Sequence, residues 1–277
     1  MSILSAVILG VIQGVAEFLP ISSSGHLAIA QNLLGIKLEG SADGVFDVLL
    51  HLGTLIAVFI AYWSDIVDMI REFFLGVRDI ARGTTPTPVP PNRRMILLLI
   101  IGTLPLVLIV PIKDLIEGLS VNTIFVGCAL LVTGVLLFLC DKHNKGRKNA
   151  SSVRLRDVLL VGVAQAFATM PGISRSGTTV SVGCFLGMDR RFALRYSFLM
   201  SIPAILGANI LNIKDCFETG IDMSLLPAYI SGVITAAVLG YLSIRLLKFV
   251  TDKGRFGAFS YYCWAVGALT IILSIVL

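Results

Sequence analysis

Two stretches hold most of the side chains capable of chemistry. The first, Gln13 to His26 (QGVAEFLPISSSGH), carries one carboxylate (Glu17), three hydroxyls (Ser22, Ser23, Ser24) and an imidazole. The second, Gln165 to Thr179 (QAFATMPGISRSGTT), carries Arg175 among Ser174, Ser176, Thr178 and Thr179. Gln13 and Glu17 are four apart and share a helix face. A hydroxyl, an imidazole and a carboxylate within mutual reach are the parts of an activated nucleophile. The second stretch suits an anion instead. A Pro-Gly break precedes Arg175, and a helix is predicted to start there. Its free N–H groups and partial positive charge suit a phosphate, and Arg175 adds bidentate donors. In a soluble protein the same Ser-x-Ser-Gly-Thr would be an ordinary helix cap, so the surroundings decide. No GxxxxGK[ST] occurs, which leaves nucleotide binding unsupported.

The surroundings are lipid. Of 277 residues 56% are hydrophobic and 14% charged, against about 25% charged in soluble domains. The net charge of +5 falls in short loops between apolar runs, as positive flanks of membrane helices do, and does not point to nucleic acid. Cys128, Cys140, Cys184, Cys216 and Cys263 show no paired spacing and read as small core residues. The first residues lack a basic stretch and a cleavage site, so they read as a helical arm rather than a removable leader. His51 reads as a core histidine and His143 as a loop residue.

Six apolar runs suit a ~30 Å core that needs ~17–25 helical residues: Phe46–Trp63, Met95–Ile112, Val121–Cys140, Tyr196–Ile213, Ser224–Leu247 and Gly257–Leu277. Ser2–Glu17 and Ser22–Leu34 are too short to cross and are separated at Pro20; Arg154–Met170 and Ser174–Gly187 repeat the arrangement around Pro171-Gly172. Each pair is predicted to be a re-entrant hairpin with its polar tip inside the membrane, tolerated where protein or a wet cavity surrounds it. With hairpins returning and long runs crossing, one face collects the loops Asp65–Arg94, Asp141–Asp157, Asp189–Arg195 and Arg245–Arg255, with 18 Lys/Arg against 8 Asp/Glu; the other collects Lys37–Asp47, Lys113–Glu117 and Lys214–Asp222, with 3 against 8. The first face is therefore cytoplasmic and both termini lie outside. Only Glu17 and Arg175 remain outside these loops, both at hairpin tips. Intramembrane charge is costly and functional by default.

A shift of 152 positions superposes Gly10 on Gly162, Gln13 on Gln165, Ser22 on Ser174, Ser24 on Ser176 and Gly25 on Gly177. Leu33-Leu34-Gly35-Ile36 likewise echoes Phe185-Leu186-Gly187-Met188. The expected fold is an all-α integral membrane protein, one domain over 1–277, built as an inverted-topology repeat with one re-entrant hairpin and three crossings per half. Repeat one covers about 1–140 (hairpin 2–34), repeat two about 154–277 (hairpin 154–187), with 141–153 a basic cytoplasmic linker.

Gln13-x-x-x-Glu17-Phe-Leu-Pro-Ile-Ser22-Ser23-Ser24-Gly25-His26, with Pro171-Gly172-Ile173-Ser174-Arg175-Ser176-Gly177, resembles the bacterial undecaprenyl-diphosphate phosphatases linked to bacitracin resistance, over essentially the whole chain. The resemblance implies hydrolysis of the terminal phosphate of undecaprenyl diphosphate, recycling the carrier lipid of peptidoglycan synthesis. It further implies a multi-pass protein of the bacterial cytoplasmic (inner) membrane, with a site opening outward. Many members carry a second carboxylate where this chain has Gln13. Ser23 is the expected nucleophile, with His26 and Glu17 as proton carriers; His26 attacking through a phosphohistidine, or water attacking directly, are the alternatives. Ser22, Ser174, Arg175, Ser176, Thr178 and Thr179 are the expected phosphate contacts. The resemblance also suggests Mg2+ or Ca2+ at Glu17 and Gln13. The competing reading is a polyprenyl-lipid transporter or flippase, since inverted repeats with broken helices recur there. The Gly-rich spans can pack within one subunit or between two copies, so a homodimer stays open.

Overall fold

A computed structural model describes residues 1–32, 42–84, 86–143, 146–219 and 222–276. In chain order its helices are α1 (Ile3–Phe18), α2 (Ser23–Asn32), α3 (Ala42–Ala61), α4 (Trp63–Arg82), α5 (Pro91–Thr103), α6 (Lys113–Gly118), α7 (Thr123–His143), α8 (Leu155–Phe167), α9 (Arg175–Phe185), α10 (Arg190–Thr219), α11 (Leu226–Asp252) and α12 (Ala258–Val276). Six helical stretches are long and apolar enough to cross a membrane: Gly44–Ala61, Pro91–Val121, Thr123–His143, Arg190–Asn212, Met223–Asp252 and Ala258–Val276. The chain is an all-α integral membrane protein whose crossings fall close to the six apolar runs.

Several boundaries differ from expectation for local reasons. The run expected over Met95–Ile112 is not one regular helix: α5 stops at Thr103, and Leu104–Ile112 continues as 3₁₀ turns containing Pro105 and Pro111. Neither proline can donate to the helical ladder. The stretch Asp65–Arg94 is expected as a loop on the cytoplasmic face, with the Pro-rich Thr84–Pro91 as its connector. Most of it is α4, an amphipathic helix exposing Val67, Ile70, Phe73, Phe74, Val77 and Ile80. Their spacing is helical, but seven interleaved charges hide it in a hydropathy count. Asp189–Arg195 largely forms the first turns of α10 rather than a loop. Residues 33–41, which include the echo at 33–36 and most of the loop expected from Lys37, lie outside the described residues, as do Lys145 and the side chains of 213–221, Cys216 among them.

Small residues govern the packing. α1 lies on α11, where a Cβ on Gly10 would meet the Gly232 carbonyl and one on Gly14 the Ala236 carbonyl; α8 lies on α5, where Gly162 meets the Gly102 carbonyl. α7 lies on α12 through Gly127 and Gly267. Close backbone approach of this kind replaces the hydrophobic drive that lipid does not supply. α3 and α10 also pack together. Between these helices the two short pairs α1–α2 and α8–α9 meet turn to turn.

Candidate active site

Leu19-Pro20-Ile21-Ser22 separates α1 from α2, and its last residue takes φ +70°. Serine rarely adopts this left-handed conformation. Ser22 Oγ accepts the N–H of Gly25 at 3.2 Å, capping α2. The opposite turn, Pro171-Gly172-Ile173, uses Gly172 at φ +93°. A Cβ on Gly25 would stand 2.9 Å from the Gly172 Cα, so the turns touch at backbone distance, and any side chain there would separate them. Ser176 Oγ donates to the Leu19 carbonyl at 3.5 Å, and a Cβ on Gly177 would lie 3.2 Å from Pro20.

This contact brings the two unmatched charges together. Glu17, near the end of α1, forms an ion pair through Oε1 with Arg175 Nη2 at the start of α9. Its Oε2 accepts from Ser23 Oγ at 2.6 Å and from Gln13 Nε2 at 3.2 Å. Gln13, Glu17, Ser23 and Arg175 are thus one hydrogen-bonded cluster spanning both hairpins. Glu17 is 8% exposed, where a charge needs such partners. Among the buried polar atoms that lack a protein partner are three of the candidate site residues': Gln13 Oε1, Arg175 Nη1 and Thr178 Oγ1. Natural proteins rarely leave such atoms unsatisfied without a ligand or water.

The remaining expected phosphate contacts divide. Ser174 caps α9, its Oγ accepting the Gly177 N–H at 3.1 Å and lying 3.3 Å from Ser176 Oγ. Thr179 turns inward, donating to the Arg175 carbonyl at 2.9 Å with its Oγ1 also 2.7 Å from Ser197 Oγ. Ser23, His26 and Arg175 are half-buried and Ser24 is exposed, so the cluster opens on one side.

His26 stands apart from the acid. Its Nδ1 is 2.8 Å from the Ser22 carbonyl and its Nε2 is 2.9 Å from Tyr262 Oη. No hydrogen bond joins it to Ser23 or Glu17 among the described residues. Tyr262 is one of two participants that carry no mark in the sequence. Thr133, midway along α7, donates to the Gly172 carbonyl and accepts the Ser174 N–H, both at 3.1 Å. It thereby holds the turn that aims Arg175. His51 bonds the Asp47 carbonyl through Nδ1 at 2.9 Å, as a core histidine would. Tyr262 and Thr133 lie in apolar runs and carry no local motif; only the packing of α12 and α7 against the hairpins exposes them.

The cluster can hold an anion and deprotonate a hydroxyl at adjacent points. Known proteins share this chain's whole length. A family model described as "Bacitracin resistance protein BacA" matches residues 6–269. An undecaprenyl-diphosphatase of Methanosphaera stadtmanae is 43% identical over 282 residues, covering 100% of both chains. Others from Alkaliphilus metalliredigens (39% identical, 99% of this chain and 100% of the relative) and Methanobrevibacter smithii (40%, 99% of each) are similar throughout.

Proposed function

The chain belongs to the bacitracin resistance protein BacA family, and we infer from that membership and its site that it is an undecaprenyl-diphosphate phosphatase. It hydrolyses undecaprenyl diphosphate to undecaprenyl phosphate and inorganic phosphate within the membrane, returning the carrier lipid to cell-wall synthesis and conferring bacitracin resistance. The observation that carries the site assignment is Glu17 bonded at once to Arg175 and to Ser23. One carboxylate links the cation that suits a phosphate to the hydroxyl that suits attack.

Phosphoryl transfer needs mainly positioning and electrostatic stabilisation. The diphosphate meets Arg175 and the N–H groups at the start of α9, with Ser22, Ser174, Ser176 and Thr178 nearby as hydroxyl partners. Thr179 supports that helix start through Ser197. Ser23 Oγ attacks the terminal phosphorus and passes its proton to Glu17. The bond from phosphorus to the bridging oxygen breaks and undecaprenyl phosphate departs. Water then attacks the phosphoserine, giving its proton to His26, while Glu17 returns a proton to Ser23 Oγ. Inorganic phosphate leaves and His26 releases its proton to solvent. Both nitrogens of His26 are already engaged, which favours Ser23 over a phosphohistidine.

Among the described residues no group of three or more His, Cys, Asp or Glu could hold a metal ion. Glu17 with the unpartnered Gln13 Oε1 fits an ion whose shell the substrate completes, the usual arrangement for Mg2+. Mg2+ or Ca2+ held there would neutralise charge on the phosphate oxygens.

Both termini and the site opening lie on the outer side of the cytoplasmic membrane in this reading, and the halves form an inverted repeat. The loop charges support the orientation. Counterpart pairings, α1 on α11 and α8 on α5, each through a glycine of the short helix, support the repeat. Phosphate release by purified protein from undecaprenyl diphosphate tests the site: Glu17→Ala and Arg175→Ala should each lose about 10²–10³-fold or more. Unimpaired release by both would refute the assignment.

A further inference from the structure

His26 offers a base only through a nitrogen that lacks a proton, and its surroundings determine which one that is. The Ser22 carbonyl can only accept, so Nδ1, 2.8 Å away, carries hydrogen. The lone pair of the neutral ring is therefore on Nε2, facing Tyr262 Oη at 2.9 Å. The two rings stack with centroids 5.6 Å apart and planes inclined by 12°. Tyr262 comes from α12, 236 positions beyond His26. It is exposed. α12 is long and apolar enough to cross the membrane, where an exposed phenol needs a hydrogen-bond partner; the partner it takes is the nitrogen that His26 would use as a base.

We propose that Tyr262 is the proton relay of His26: its hydroxyl occupies the only lone pair of Nε2, so the proton of the attacking water passes to Tyr262 Oη as Tyr262 gives its own to Nε2, while its ring holds the imidazole. The inference rests on His26 serving as the proton acceptor in the reaction above. Tyr262 forms no bond to phosphorus. The last helix of the second half thereby completes the machinery of the first hairpin.

Tyr262→Phe keeps the ring and removes only the hydroxyl. The turnover number is expected to fall about 10-fold, a fraction of the ~10²–10⁴-fold that a positioned acid–base group supplies, with KM unchanged within about twofold. Nitrogen-15 NMR of histidine-labelled protein reads the pairing independently of turnover. The chain has three histidines, so His51→Gln and His143→Gln assign the His26 signals. In the parent, Nδ1 should give a protonated-type resonance and Nε2 a hydrogen-bonded acceptor resonance; Tyr262→Phe should move Nε2 to the position of an unbonded nitrogen. An unmoved Nε2 signal would overturn the pairing, and a moved signal with parental turnover would overturn its role. Failure of the broader site would show elsewhere, as activity retained by Glu17→Ala and Arg175→Ala.

Discussion

Substituting Glu17→Gln should separate binding from chemistry in opposite directions. Glu17 is the only acid in the cluster, and it competes with any incoming phosphate for Arg175. Two unit charges about 4 Å apart interact by ~4 kcal/mol at the effective dielectric typical of protein sites. A negative charge removed beside an anionic substrate should therefore tighten binding, though water and local rearrangement offset much of that figure. A net gain of about 1–3 kcal/mol corresponds to roughly 5–150-fold tighter binding. The same change removes the acceptor 2.6 Å from Ser23 Oγ, and a carboxamide cannot take a proton from serine. Turnover should fall by about 10²–10⁴-fold, the contribution of a positioned base. Calorimetric titration with a non-hydrolysable polyprenyl methylenediphosphonate measures the first effect and phosphate release the second. Weaker binding of the analogue, or turnover near the parent value, would refute the opposed roles assigned to the acid and the guanidinium.

Thr133→Val strands the Gly172 carbonyl and the Ser174 N–H, at about 1–3 kcal/mol per unsatisfied group; thermal unfolding should come earlier and activity drop, with Thr133→Ser restoring both. Gly25→Ala inserts a methyl 2.9 Å from the Gly172 Cα, forcing the turns apart at about 1–3 kcal/mol of overpacking, and phosphate release should be largely lost even in the fraction that remains folded by size-exclusion chromatography. Chelation with EDTA should abolish turnover, and Mg2+ or Ca2+ should restore it. Gln13→Ala should then raise the ion concentration giving half-maximal rate, because it deletes the unpartnered Oε1.

The crossings were legible because lipid imposes length and apolarity on each one, and those properties survive in a one-dimensional reading. The hairpin ends were legible too, since Pro20 and Pro171-Gly172 interrupt otherwise helical runs. α4 was not: its apolar residues recur at helical spacing, but the charges between them depress any window average. Within the site, Glu17 and Arg175 stood out as charges with no loop to occupy. Tyr262 had no such mark. It sits beside Tyr261 in an apolar run, and its hydroxyl gains meaning only where α12 crosses His26. Thr133 is similar, because one hydroxyl serving two backbone groups of another segment leaves no trace in spacing. Local sequence announces charge in the wrong medium; it does not announce a hydrogen bond made across the fold.

Glu17 and its guanidinium partner lie 158 positions apart, which has a consequence for how the protein is made. At about 5–20 residues per second the ribosome needs about 8–30 s to travel between them. Throughout that interval the first hairpin exists without the second, and its acid has no counter-charge. The earliest segment synthesised must therefore be among the last to seat, waiting near the headgroups until the later half arrives to draw it inward. A truncated product that stops before Arg175 would carry a lone carboxylate toward the bilayer interior, a natural handle for the quality-control proteases of the membrane.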